Sequence, residues 1–153
     1  MHIRKATQSD LPALLKFEQG IITAERPMDP TLKEDPINYY DLSQYIDATD
    51  TEVVVAETNG KLVGSGYGQI RNNEDYFKYP QYGYIGFMFV DEDHRGQAIA
   101  KQIIGYLNKW FASRNIEEVR LTVYDKNPGA IKAYEKAGFE KHIVEMRLNL
   151  KDE

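Results

Sequence analysis

One stretch constrains this chain more than any other. From Arg95 to Arg114, the residues Ile99, Ile103, Ile104, Leu107, Trp110 and Phe111 fall at helical intervals. One face of a long helix is therefore apolar and has to be covered. The segments around it read as strands, Tyr82 to Val90 before and Val119 to Tyr124 after. The first lacks clean alternation, which predicts burial on both faces.

The remaining elements follow from shorter signals. His2 to Ala6 reads as a short strand. Ser9 or Asp10 caps a helix with Pro12 in its first turn and Leu11, Leu14, Leu15 and Glu18 at helical spacing. Glu25-Arg26-Pro27-Met28-Asp29-Pro30 breaks that helix. Asp35-Pro36 predicts the start of a second one, with Tyr39, Leu42 and Ile46 on its apolar stripe and Tyr45 beside it. Thr51 to Glu57 is a strand built around Val53-Val54-Val55-Ala56. Asn59-Gly60 is a hairpin turn, and Lys61 to about Arg71 is the return strand. A polar loop then runs to Gln81. Asn127-Pro128 caps the last helix, with Ala130, Ile131, Tyr134 and Ala137 near one face and Gly138 at its C-terminal stop. Phe139 to Leu150 is expected to return as a final strand. The order is β-α-α-β-β-β-α-β-α-β.

Composition narrows the function. At 153 residues the chain is expected to be one domain, 1–153, burying roughly 68–70% of its unfolded surface. A net charge of −5 argues against nucleic acid and anionic membranes as partners, because both need a basic face. With no cysteine and three scattered histidines, His2, His94 and His142, neither a disulfide framework nor a metal site is expected. No apolar run approaches the ~20 residues that span a bilayer. The polar start, Met1 to Thr7, does not read as a secretory signal, so the expected location is cytoplasmic.

The chemistry concentrates in Phe89-Val90-Asp91-Glu92-Asp93-His94-Arg95-Gly96-Gln97-Ala98-Ile99-Ala100-Lys101. A strand ends, an acidic loop follows, and a small-residue turn opens the long helix. The first N–H groups of a helix lack internal partners and carry a positive dipole, so such an end can hold phosphate. A plain strand-to-helix connection reads the same way. A Walker A loop is excluded because no Gly-Lys-Ser/Thr follows, and a dinucleotide fingerprint fits poorly.

A second segment, Asn127 to Phe139, changes the reading. Together the two segments resemble the GCN5-related N-acetyltransferase (GNAT) family. Arg95-Gly96-Gln97-Ala98-Ile99-Ala100 is similar to its Gln/Arg-x-x-Gly-x-Gly/Ala signature. Asn127, Ala130, Tyr134, Gly138 and Phe139 match Asn-x-x-Ala-x-x-x-Tyr-x-x-x-Gly-Phe. The resemblance implies an α/β (α+β) fold with a mixed, mostly antiparallel sheet flanked by helices. It implies acetyl-CoA wedged between two splayed strands, with the pantetheine on the backbone of Met88, Phe89 and Val90. The pyrophosphate would be cradled by Arg95, Gly96, Gln97, Ala98, Ile99 and Ala100. Asn127 would touch the pantetheine, and Tyr134 would protonate the departing thiolate. The match departs at Ala98, where glycine is usual. With helical dihedrals an alanine there has no backbone cost, so it is read as tolerated, and coenzyme affinity is the property it touches.

The general base is not obvious. Many relatives carry a glutamate where this chain has Gly86, and no carboxylate lies between Tyr82 and Val90. Glu25 and Asp29 are candidates, as is water relayed to a distant acid. The acceptor site is expected around Glu25, Arg26 and Asp29 with Tyr67 and Tyr84, Arg26 holding a substrate carboxylate. A solvated turn with a local ion pair, and core tyrosines, are the plain alternatives. Gly64, Gly66 and Gly68 line one face of a strand, where something comes close: a core side chain or a ligand. The leading reading is acetyl-CoA-dependent transfer to a primary amine, on a small amino-acid-like metabolite, peptide or protein, by direct attack in a ternary complex. A non-catalytic acyl-CoA-binding module and a flavodoxin-like nucleotide or flavin binder are the rivals. A homodimer is compatible with all three.

Overall fold

The computed structural model describes residues 1–151. Strands β1 (His2–Lys5), β2 (Thr51–Thr58), β3 (Lys61–Asn72), β4 (Gln81–Val90) and β5 (Val119–Arg120) form one sheet in the order 1-2-3-4-5. The first four run antiparallel to their neighbours, and β5 runs parallel to β4. Asn59 and Gly60 both take positive φ, as the predicted two-residue hairpin requires.

Helix α3 (Ile99–Ser113) covers one face of the sheet. Its Ile99, Ile103, Ile104, Leu107 and Phe111 pack on Val54, Ala56, Val63 and Ile85. Helices α1 (Leu11–Glu25) and α2 (Leu42–Asp47) cover the other, packing Leu14, Leu42 and Ile46 on Val53, Val55, Tyr67 and Phe87. The alternating valines of β2 thus serve both layers. The glycine stripe of β3 is a packing device. A Cβ on Gly66 would meet Ile103 at 2.8 Å, and one on Gly68 would meet Phe111 at 2.8 Å.

Strand β4 is buried on both faces, as expected, but only through a bulge. Between Ser65 and Tyr67 the register shifts against Phe89 and Gly86, and Phe87 has φ +58°. The extra residue turns Phe87 from the α3 side, where Ile85 lies, to the α1 side.

Four expectations need correction. The second helix starts at Leu42, not Pro36, because the N–H groups of Tyr39 and Tyr40 both donate to Oε2 of buried Glu18 and cannot join a helix. The long helix starts at Ile99 rather than Arg95. Only Val119 and Arg120 of the fifth strand are paired. Phe139 to Leu150 forms no strand among the described residues, and no backbone hydrogen bond there joins residues 140–150 to a strand. Helix α4 (Pro128–Lys136) is as predicted, with the Asn127 side chain accepting from the Ala130 N–H and Gly138 at φ +102° closing it.

Candidate active site

Strands β4 and β5 pair only at Gly83 with Val119 and at Tyr84 with Arg120. Beyond that β4 continues to Val90 without β5 beside it. The backbone of Met88, Phe89 and Val90 therefore faces an opening where ladder partners would otherwise stand, and an extended amide chain fits such an edge. Phe89 closes its inner side, stacked on Phe17 of α1 at 4.5 Å between centroids.

At the top of β4 the chain makes a short 3-10 turn, Glu92–His94, held by His94 Nδ1 and Asp91 Oδ2 at 2.8 Å. Arg95 to Ala98 then form an exposed turn. Gly96 has φ +83° with open space around it, a backbone that excludes most side chains. Ala98 is the N-cap of α3 and sits in the left-handed region, φ +58° and ψ +29°, with no side-chain cap bond. The expectation of helical dihedrals at this position is therefore wrong. The alanine costs about 1–2 kcal/mol that a glycine would not. The first N–H groups of α3 meet no capping side chain, which suits them to an anion.

Below this opening lies a cluster of hydroxyls and two carboxylates. The two acids stand four residues apart and are driven in opposite directions. Glu25, half-buried at the end of α1, has its carboxyl pushed up by burial, an effect that Tyr39 partly offsets and Asp29 adds to. Asp29 is buried and accepts from Thr31 N at 3.0 Å, Thr31 Oγ1 at 2.6 Å, Tyr124 Oη at 2.9 Å and Arg147 Nη1 at 3.3 Å. Those donors, Thr31 foremost, hold its carboxyl well below the usual carboxylate range. A carboxylate so engaged is a post, not a proton acceptor.

Tyr134, on α4, stacks edge-on to Phe139. Burial first, then the nearby charge of Glu25 and then Tyr84, push its hydroxyl up to about 12. The Tyr84 hydroxyl lies 2.9 Å from Thr122 Oγ1, with the Arg71 guanidinium 3.8 Å over its ring. Tyr67 is fully buried and its hydroxyl is pushed up to about 12 by burial. Its ring fills the space at Gly86, where a Cβ would meet Tyr67 Cζ and Oη at 2.6 Å. A glutamate at that position would have to displace the Tyr67 ring. Arg26 is engaged by its own chain, donating to Lys33 O at 2.8 Å and Asp35 Oδ1 at 2.6 Å.

Thus Glu25, Tyr84 and Tyr134 come together, Arg26 turns to the 33–35 loop, and Tyr67 belongs to the core. Sequence reasoning missed Tyr39, Tyr124 and Arg147. Tyr39 was placed on the first turns of the second helix, which starts only at Leu42. Its hydroxyl is buried beside Glu25 without a hydrogen bond of ordinary geometry. Arg147 reaches Asp29 across 118 residues, a contact with no local signal. An open concavity of about 480 Å³ between α1 and residues 38–43 takes in none of the expected site residues. Among the described residues no group of three or more His, Cys, Asp or Glu could hold a metal ion, and no helix is long and apolar enough to cross a membrane.

Comparison with known proteins agrees with this fold. The profile of the acetyltransferase (GNAT) family matches residues 19–139. An acetyltransferase of Pectobacterium atrosepticum is 26% identical over 140 residues, covering 92% of this chain and 88% of that protein. The crystal structure of a predicted acetyltransferase with acetyl-CoA from Clostridium acetobutylicum superposes with a TM-score of 0.76 at 20% identity, covering 99% and 97% of the two chains. The tetramutant of the BH1408 protein from Bacillus halodurans gives 0.86 at 20% identity, covering 98% and 100%. The family profile and the acetyltransferase relative make the protein an acyltransferase. The chain belongs to the acetyltransferase (GNAT) family.

Proposed function

We propose that this enzyme transfers an acetyl group from acetyl-CoA to a primary amine by direct attack, with both substrates bound together. The observation that carries this reading is the approach of Glu25 to Tyr134 beside the divergence of β4 and β5. The strand backbone from Met88 to Val90 takes the pantetheine, and the turn from Arg95 to Ala100 takes the pyrophosphate. The Asn127 carbonyl caps α4, leaving its amide N–H groups for the coenzyme.

An amine of pKa near 10.4 is almost wholly protonated at neutral pH. Glu25 takes that proton. Its carboxyl, raised by burial, is a better proton acceptor than an ordinary glutamate carboxylate. Tyr134 donates a hydrogen bond to the leaving sulfur. A phenol pushed up to about 12 is a weaker acid than a thiol, so the proton stays shared in a hydrogen bond from the Tyr134 hydroxyl to the sulfur while the C–S bond breaks. Tyr84 walls the acceptor side. Arg26 and Asp29 shape the turn, and the acceptor is an amino-acid-like metabolite or a peptide amine.

Thiol release from acetyl-CoA over a panel of amines tests the reading. Release should depend on a primary amine. Tyr134→Phe and Glu25→Gln should each lower kcat on the order of 10²-fold, with acetyl-CoA affinity unchanged. Tight coenzyme binding without release on any amine would leave a binding module instead.

A further inference from the structure

One face of the sheet carries a positive charge that the chain itself leaves unanswered. Tyr67, Gln69 and Arg71 alternate along β3 on the face that α1 and α2 cover, and the register sets Tyr84 beside Gln69 and Tyr82 beside Arg71. On β5, Arg120 stands beside Tyr84. The face is only partly covered at this end, where Arg71, Tyr82, Tyr84 and Arg120 are all half-buried.

The two guanidinium groups here differ. Arg120 lies 4.0 Å over the Tyr82 ring and is neutralised by Glu118 at 2.8 Å. Arg71 lies 3.8 Å over the Tyr84 ring and donates from Nε to Gln69 Oε1 at 2.9 Å. Gln69 is fixed in turn, donating to Thr51 Oγ1 at 3.1 Å. A carboxamide answers one donor but not the charge. Among the described residues every ion pair belongs to other side chains, so the terminal nitrogens of Arg71 meet no carboxylate. The Tyr67 hydroxyl lies near it: burial pushes that hydroxyl up, and the Arg71 charge offsets part of the rise.

Tyr84 links this charge to the reacting groups. Its ring carries Arg71, and it stands close enough to Tyr134 to act on that hydroxyl together with Glu25. We propose that Arg71 holds a carboxylate of the acceptor, so that the substrate is an amine that also carries an anion. This rests on the reading that the acceptor's amine meets Glu25 and Tyr134; its other end then reaches Arg71 across Tyr84. The role expected of Arg26 passes to Arg71, because Arg26 is engaged by Lys33 O and Asp35. The planar fork of a guanidinium pairs both oxygens of a carboxylate, and the ring beneath it fixes the plane of the fork. An amine without the anion leaves those donors to water.

Steady-state kinetics on matched acceptors tests this. Straight-chain ω-amino acids are compared with alkylamines of the same length, and short peptides with a free C-terminus are compared with their amides. The first set reads a small acceptor, the second a peptide one. In one of the sets kcat/KM should be about tenfold or more higher for the carboxylate-bearing member, with the difference in KM. Arg71→Gln removes the charge and should bring that ratio to about one, while Arg71→Lys, which keeps the charge without the fork, should retain part of it. Arg71→Glu should reverse the preference. Circular dichroism and acetyl-CoA titration check that each variant is folded. A wild-type ratio near one in both sets overturns the proposal and leaves acetyl transfer standing, as does a ratio that Arg71→Gln fails to lower. No thiol release with any acceptor overturns the acetyl-transfer reading, and this assignment with it.

Discussion

Helices α3 and α4 begin in opposite ways. At α4 the chain caps itself: Asn127 accepts from the Ala130 N–H, and Pro128 follows in the first turn. At α3 the cap position is an exposed alanine in a left-handed conformation with nothing to offer the N–H groups beyond it. Only one of the two starts is complete in itself. A helix start left bare and strained, where a serine or asparagine would have closed it, leaves its N–H groups free for the pyrophosphate in the proposed reading. The self-capped helix instead positions a side chain, Tyr134, rather than binding through its own end.

This contrast can be broken at three positions. The largest effect is expected at Gly96. Gly96→Asp puts a side chain into a positive-φ turn and a negative charge beside the pyrophosphate site. Acetyl-CoA affinity should fall on the order of 10²-fold by calorimetric titration, with the melting temperature lowered only by roughly 2–4 °C, the strain of a side chain at positive φ. Asn127→Ala should act through the fold instead. Loss of the cap should destabilise the protein by about 1 kcal/mol in a denaturant titration. The smallest effect is expected at Ala98. Ala98→Gly releases the left-handed strain and should stabilise the protein by up to about 1 kcal/mol. Coenzyme affinity should hold or improve. An Ala98→Gly protein that is less stable would mean that the start of α3 is not strained as described.

Much of this contrast was legible in the sequence. Asn127-Pro128 announces a cap, and Arg95 to Ala100 announces a bare turn. What could not be read was the conformation of Ala98, since a composition of small residues fits both a first helical turn and a left-handed one. The apolar alternation of β2 and the Asn59-Gly60 hairpin were plain because each is local. The start of α2 was misread because its determinant, the Glu18 carboxylate, sits on another helix and draws the Tyr39 and Tyr40 N–H groups out of helical geometry. Glu25 and Asp29 looked interchangeable for a similar reason. Burial raises one, while donors from Thr31, Tyr124 and Arg147 lower the other, and two of those three are distant in sequence. The final strand was expected from its alternation, but alternation names no neighbour.

Glu25 is the group proposed to take the amine proton, and the pH dependence of kcat tests that role most directly. Burial raises the Glu25 carboxyl, so activity should climb as pH rises through a value above the ordinary glutamate range and then level off. The limb from Tyr134 lies near 12, beyond the working range. In Glu25→Gln the residual rate should lose that rising limb. A rising limb that persists unchanged in Glu25→Gln would assign the proton to another group and contradict the mechanism.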